Sequence, residues 1–314
     1  MKKYILLIAL IAFTQLSAQN CAPFYAAKLK QLSIDSLQLA YIDQGKGETI
    51  VFIHGLGGNA GHWTNNIDAL SKKYRCIAID LPAYGASSKH WPEKNTSRLD
   101  DYADLIIRFT QQLKLKQFVL AGHSMGGQIA MITALKAPAL VSKLILAAPA
   151  GFETFTENEK NLLLAYATPQ FYFNQNDDAI KASFAKNFVQ VPVAAQALIN
   201  DRIQLKQCAG FMDYCQQITA GVKGMLTHPV QTELSSITQP TLIVFGKEDA
   251  LIPNKLLHPK ATTESIAAIG TAIPKQQTVF LQAGHLVQFE QADAFNQSVL
   301  TFLDTKQSLS TKTK

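Results

Sequence analysis

Residues 120–130 read LAGHSMGGQIA, and the question they pose is whether Ser124 is a nucleophile or an idle polar residue in a tight turn. The apolar run QFVLAG before it has the pattern of a strand. From Gly126 to Ala137 the text is helical. Glycines at 122 and 126 let the chain turn sharply between the two, which lifts the serine hydroxyl out at the end of a sheet. The same turn puts the Met125 amide at a helix N-terminus, where it can donate to a developing oxyanion. The pentapeptide alone leaves the two readings nearly even.

Outward from this turn the same strand pattern recurs. SLQLAYIDQGKG alternates and ends in glycines, as a half-buried strand entering a turn does. TIVFIHG, YRCIAIDLP, KLILAAP and TLIVFG are continuous apolar runs, the signature of strands covered on both faces of a parallel sheet. Helical stretches such as Asp101 to Leu113 separate several of them, so the expected class is α/β with a mostly parallel central sheet flanked by helices. The alternation stops over residues 152–236, which read as amphipathic helices inserted over one face of the sheet. Phe152, Phe155, Phe171, Tyr172, Phe173 and Phe211 in that insertion suit either its own core or an apolar substrate passage, and the core is favoured for most. The expected division is therefore a leader over 1–18, a core of 19–151 and 237–306, the insertion, and a polar tail over 307–314.

A serine nucleophile needs a base, and the base needs an orienting carboxylate. Asp249 in FGKEDALIP and His285 in AGHLVQFE each follow a strand pattern, and in a parallel sheet their strand ends share an edge with the end of QFVLAG. Taken together, IHGLGG, GHSMGG, FGKEDALIP and AGHLVQFE resemble the α/β-hydrolase superfamily across essentially the whole mature chain, with Ser, Asp and His in that family's order. Within it the chain is most similar to esterases, lipases and carbon–carbon bond hydrolases with a helical lid. The resemblance implies Ser124 as nucleophile, His285 as base and acid, Asp249 as its partner, and the amides of Leu56 and Met125 as the oxyanion hole. It implies cleavage of a small-molecule ester or acyl substrate, apolar in keeping with the aromatic insertion, without a cofactor; carbon–carbon bond hydrolysis or thioester cleavage by the same triad is the alternative. One departure stands out: in DLPAYG, Ala83 occupies a position where the family usually has glycine, so that loop is expected to differ in shape, with Asp80 structural.

Other polar residues receive lesser roles. His54 is expected to brace the loop backbone, and His123 occupies a variable position beside the nucleophile. His62, His90, His228 and His258 show no partner pattern and read as surface or packing residues. Glu248 competes with Asp249 but fits GxxD less well. Asp100 and Asp101 suit a helix start.

Two rival functions compete with this reading. GLGGNA at 55–60 fits GxGxxA after a strand, with Asp80 about 20 residues on, as in a dinucleotide site. That reading places the fingerprint after a second strand and leaves Ser124, Asp249 and His285 without purpose. The other rival is a hydrolase fold without activity that serves as a binding protein, against which the intact triad argues.

Composition sets the remaining bounds. The 314 residues are 47% hydrophobic and 17% charged, enough for one large globular core. MKKYILLIALIAFTQLSA has the basic start, short apolar run and small-residue end of a secretory signal, so export to a periplasm or the medium is expected, with no stable membrane span after cleavage. An uncleaved anchor and a lipidated Cys21 are the less favoured alternatives. Removing Lys2 and Lys3 lowers the net charge from +6 to +4, without a basic block, so a nucleic-acid partner is not expected. Cysteines 21, 76, 208 and 215 lack metal-site spacing. Cys76 reads as a buried strand residue. A Cys208–Cys215 bridge needs a helix break, as at Gly210, because continuous helix would hold the two about 10 Å apart.

Overall fold

The computed structural model describes residues 21–89, 91 and 98–305. The leader, His90 and the polar tail lie outside the described residues. Eight strands form one sheet in the order β1-β2-β4-β3-β5-β6-β7-β8: β1 (Leu29–Ile34), β2 (Leu37–Gln44), β3 (Thr49–Ile53), β4 (Arg75–Ile79), β5 (Phe118–His123), β6 (Val141–Ala147), β7 (Thr241–Gly246) and β8 (Gln276–Leu281). β1 and β2 pair antiparallel, as do β2 and β4, and every other pair is parallel. The α/β class with a mostly parallel sheet is thus the observed architecture.

Helices cover both faces because successive side chains of the central strands point to opposite sides. Val51, Ile53, Leu120, Ile243 and Phe245 face one way, packing with α2 (Leu99–Gln112) and α3 (Met125–Lys136) through residues such as Ile106 and Ile129. Ile50, Phe52, Val119, Leu242 and Val244 face the other way, against Ile67 of α1 (Thr64–Leu70) and Phe295 and Val299 of α11 (Ala292–Asp304). β3, β5 and β7 are buried along their whole length, which is why they read as unbroken apolar runs. β1 was not expected. It is an edge strand with mostly solvated side chains and shows no apolar run.

Between β6 and β7 the chain passes through α4 (Glu157–Tyr166), α5 (Pro169–Phe173), α6 (Asp177–Ala185), α7 (Ala195–Leu205) and α8 (Phe211–Thr227). A capping box starts α4, with the Thr156 side chain on the Glu159 amide and the Glu159 carboxylate on the Thr156 amide. Phe184, Phe188, Ala195, Leu198 and Ile199 form a small core that closes on Leu286 and Phe289, just past β8. After β7, α9 (Thr263–Ile269) precedes β8, and α10 (Val287–Glu290) precedes α11.

The Cys208–Cys215 bridge, for which the sequence required a helix break, does not form. Cys208 pairs with Cys21, Cα atoms 5.8 Å apart, whereas Cys215 and Cys76 are free and buried. The chain does break at Gly210, which adopts φ 82° before α8. Cys215, however, lies inside α8 and packs into the core, and the N-terminal segment brings Cys21 to Cys208 instead.

Candidate active site

Parallel register aligns the C-terminal ends of the strands: Ile53 of β3 lies beside Gly122 of β5, His123 beside Ala147 of β6, and Gly246 of β7 beside Leu281 of β8. The loops leaving these ends carry Leu56, Ser124, Asp249 and His285 to one edge of the sheet, where ligands of open α/β sheets bind.

Ser124 sits at φ 52°, ψ −119°, a left-handed conformation costly for a side-chain-bearing residue. The fold holds it there. Its amide donates to Ala147 O, and its carbonyl accepts from the amides of Gly127, Gln128 and Ala150. The turn is possible only because a Cβ on Gly122 would lie 2.2 Å from Gly126 O, and one on Gly126 2.4 Å from Ile53 O. Ser124 opens on a cavity of about 490 Å³ whose walls include Leu56, Phe155, Tyr172, Arg202 and His285.

Past β7 the chain turns around Asp249, whose Oδ1 accepts from the amides of Leu251 and Ile252 at 2.8 and 2.9 Å. Its Oδ2 lies 2.8 Å from His285 Nδ1, with both side chains almost wholly buried. A carboxylate accepts only, so Nδ1 carries the proton and Nε2 is left as an acceptor. Glu248 is exposed and plays no part in this pair. Among the described residues Ser124 Oγ makes no hydrogen bond, so the structure joins Asp249 to His285 directly and brings Ser124 and His285 to the wall of one cavity.

His123 braces this arrangement. Its Nε2 donates to His285 O at 3.0 Å, its ring lies 4.8 Å from the His285 ring, and burial keeps it neutral, well below the usual imidazole range. His54 braces the opposite wall: Nδ1 donates to Gly55 O at 2.8 Å, Nε2 accepts from the Leu81 amide at 3.1 Å, and burial lowers its pKa to about 4. His228 and His258 depart from their expectation, because each finds a carboxylate, Asp100 at 2.7 Å and Glu153 at 2.6 Å. The aromatic residues of the insertion divide: Phe155 and Tyr172 line the cavity, Phe152 and Phe211 enter the core, and Phe171 and Phe173 are exposed.

Asp80 is buried and occupied. Its carboxylate accepts from Tyr25 Oη and from the amides of Ala60 and Ala86, which removes it as a ribose ligand and leaves it a structural post. Arg202 carries no local signal of a role. On α7 its place in ALINDRIQL reads as a solvated face, yet the fold half-buries it in the cavity wall with the guanidinium 4.6 Å over the Tyr214 ring. Burial lowers its pKa to about 10, and among the described residues no carboxylate pairs with it.

A family model described as the alpha/beta hydrolase fold matches residues 48–292. The chain is 29% identical over 279 residues to a dihydrolipoyllysine-residue acetyltransferase component of an acetoin cleaving system from Cupriavidus necator, covering 86% of this chain and 68% of that protein. It is equally 29% identical over 284 residues to a 2-hydroxy-6-oxononadienedioate/2-hydroxy-6-oxononatrienedioate hydrolase of Escherichia coli K12, covering 85% and 91%. Among solved structures, a bacterial membrane phospholipase A superposes with a TM-score of 0.72 at 25% identity, covering 97% of this chain and 98% of that one. No helix among the described residues is long and apolar enough to cross a membrane. The matched model spans most of the chain and the sheet is mostly parallel as such a fold requires, so the protein belongs to the α/β-hydrolase-fold family.

Proposed function

We propose that the protein is an exported serine hydrolase that cleaves carboxylic esters through an acyl-enzyme. The observation that carries this reading is the buried Asp249–His285 hydrogen bond, opening on the cavity that holds Ser124 in its strained turn. In this mechanism His285 Nε2 takes the Ser124 proton as Oγ attacks the ester carbonyl, and the tetrahedral oxyanion accepts from the Leu56 and Met125 amides. The leaving alcohol takes the proton from His285. Water, deprotonated by the same nitrogen, then releases the acid and frees Ser124. The helical insertion serves as the lid that shapes the acyl site. The Cys21–Cys208 disulfide supports export, since such bonds persist in oxidising compartments. N-terminal sequencing of protein recovered outside the cytoplasm tests that part, and an intact Met1 would overturn it.

Two experiments test the chemistry. A fluorophosphonate should label Ser124, and absence of labelling would bring forward a non-catalytic binding protein. Ser124→Ala should lower ester turnover by roughly three or more orders of magnitude while leaving the fold intact. Retained esterase activity would sink the assignment.

One observation favours a second reading with the same triad. Arg202 is a half-buried cation in the cavity wall that, among the described residues, has no carboxylate partner, and an anionic substrate group would compensate it. The Escherichia coli relative is named for cleaving dienedioates, so carbon–carbon hydrolysis of a carboxylate-bearing vinylogous diketone is the alternative. A panel of p-nitrophenyl esters beside such a diketone separates the two. Turnover of the diketone alone, lost in Arg202→Gln, would select the second.

A further inference from the structure

The turn that presents the Leu56 amide is held from two sides. On the core side His54 donates to Gly55 O, as described above. The Gly58 amide donates to the same carbonyl at 3.0 Å and closes the turn, with Gly57 at φ 69°, where glycine is at ease. The Gly55 carbonyl and the Leu56 amide belong to one planar peptide unit, so fixing the carbonyl aims the amide.

The next link comes from the helical insertion. Tyr214 Oη on α8 donates to Gly57 O at 3.1 Å. The Gly57 carbonyl and the Gly58 amide again share one peptide unit. The result is an unbroken chain from the Tyr214 hydroxyl through the 57–58 peptide and the 55–56 peptide to the Leu56 N–H, in which each hydrogen bond polarises the next.

Tyr214 is itself fixed in place. Tyr84 meets its ring edge-on at 5.6 Å, Phe211 stacks at 5.9 Å, and the Arg202 guanidinium covers it. A Cβ on Gly57 would lie 2.5 Å from Arg202 Nη2, so only glycine admits this close approach. α7, which carries Arg202, is tied down by the Cys21–Cys208 bond and by the Phe24 amide on the Asp201 carboxylate at 3.1 Å.

We propose that Tyr214 is a positioning residue: by holding Gly57 O it sets the oxyanion turn, so the helical insertion completes the oxyanion hole as well as covering the cavity. This rests on the assignment of Ser124 as nucleophile and of the Leu56 amide as oxyanion donor. Phenylalanine at 214 keeps the ring and its packing and removes only the donor. On an ester that the wild type turns over, Tyr214→Phe should lower kcat about tenfold with KM changed by less than about twofold, since the lost interaction acts on the transition state. The pH profile should stay in place because His285 is untouched. Affinity for an alkyl boronic acid, whose tetrahedral adduct on Ser124 puts an oxygen in the hole, should fall by the same factor as kcat. Affinity for the unreactive product acid should not change, and the ratio of the two affinities is independent of how much of the variant is folded. An unchanged ratio, or a loss confined to KM, overturns the inference. Fluorophosphonate labelling of the wild type separates the failures: a labelled wild type with an unaffected variant removes only the role of Tyr214, and an unlabelled, inactive wild type removes both.

Discussion

Ala83 lies in the loop after β4, fully buried at φ 73°, its amide on Ser88 O at 2.8 Å. Ala83 therefore takes the left-handed conformation that glycine adopts without strain. Three terms decide what alanine costs there. The left-handed conformation costs about 1–2 kcal/mol, glycine would add about 0.5–1 kcal/mol of unfolded-state freedom, and the buried methyl contributes about 0.8 kcal/mol. They nearly cancel. Ala83→Gly should leave stability within about 1 kcal/mol of wild type, whereas β-branched Ala83→Val should cost more than about 2 kcal/mol, as read by denaturant unfolding. A large gain with glycine would show that strain, and not packing, dominates this loop. At the same scale Ser124, Asp249 and His285 were legible because each follows a strand end, a place fixed by local pattern. Arg202 and Tyr214 were not, because their burial depends on where α7 and α8 land on the Gly55–Gly58 turn.

Among the elements, the N-terminal segment does more than its length suggests. Tyr25 donates to Asp80 just past β4, the Phe24 amide holds Asp201, and Cys21 is bonded to Cys208 across 187 residues of chain. Closing so long a loop restricts the unfolded state strongly, and loss of such a bond costs about 2–5 kcal/mol. Cys21→Ser should lower the melting temperature, and dithiothreitol should lower that of the wild type but leave the variant unmoved. Equal sensitivity of both proteins to the reductant would refute the tether. The pairing was illegible because spacing along α7 and α8 says nothing of what the N-terminus crosses. β1 escaped for a related reason: it pairs only with β2, and its side chains face mostly water. The buried strands β3, β5 and β7 were legible because burial on both faces confines polar residues to their ends.

For the whole molecule, burial of neutral imidazoles sets a response to acid. Burial lowers His54 to about 4 and His62 to about 3, and drives His123 in the same direction. In the unfolded chain each would titrate near about 6.5, so below that pH the unfolded state binds protons that the native state refuses. The stability they permit is complete above about pH 6.5 and is lost as pH falls toward 4 and then 3, each imidazole contributing at most about 1.4 kcal/mol per pH unit. Asp201 acts in the opposite sense. Burial raises its carboxyl to about 6 from an ordinary 3.8, so the native state binds the extra proton between those values and gains stability as pH falls through them. Calorimetric melting of wild type, His62→Gln and Asp201→Asn from pH 7.5 to 4 separates the two. The offset between wild type and His62→Gln should shift against the wild type as pH falls below 6.5. The offset between wild type and Asp201→Asn should shift in its favour below 6. Offsets that stay constant across the range would mean that neither group is held away from its ordinary titration by the fold.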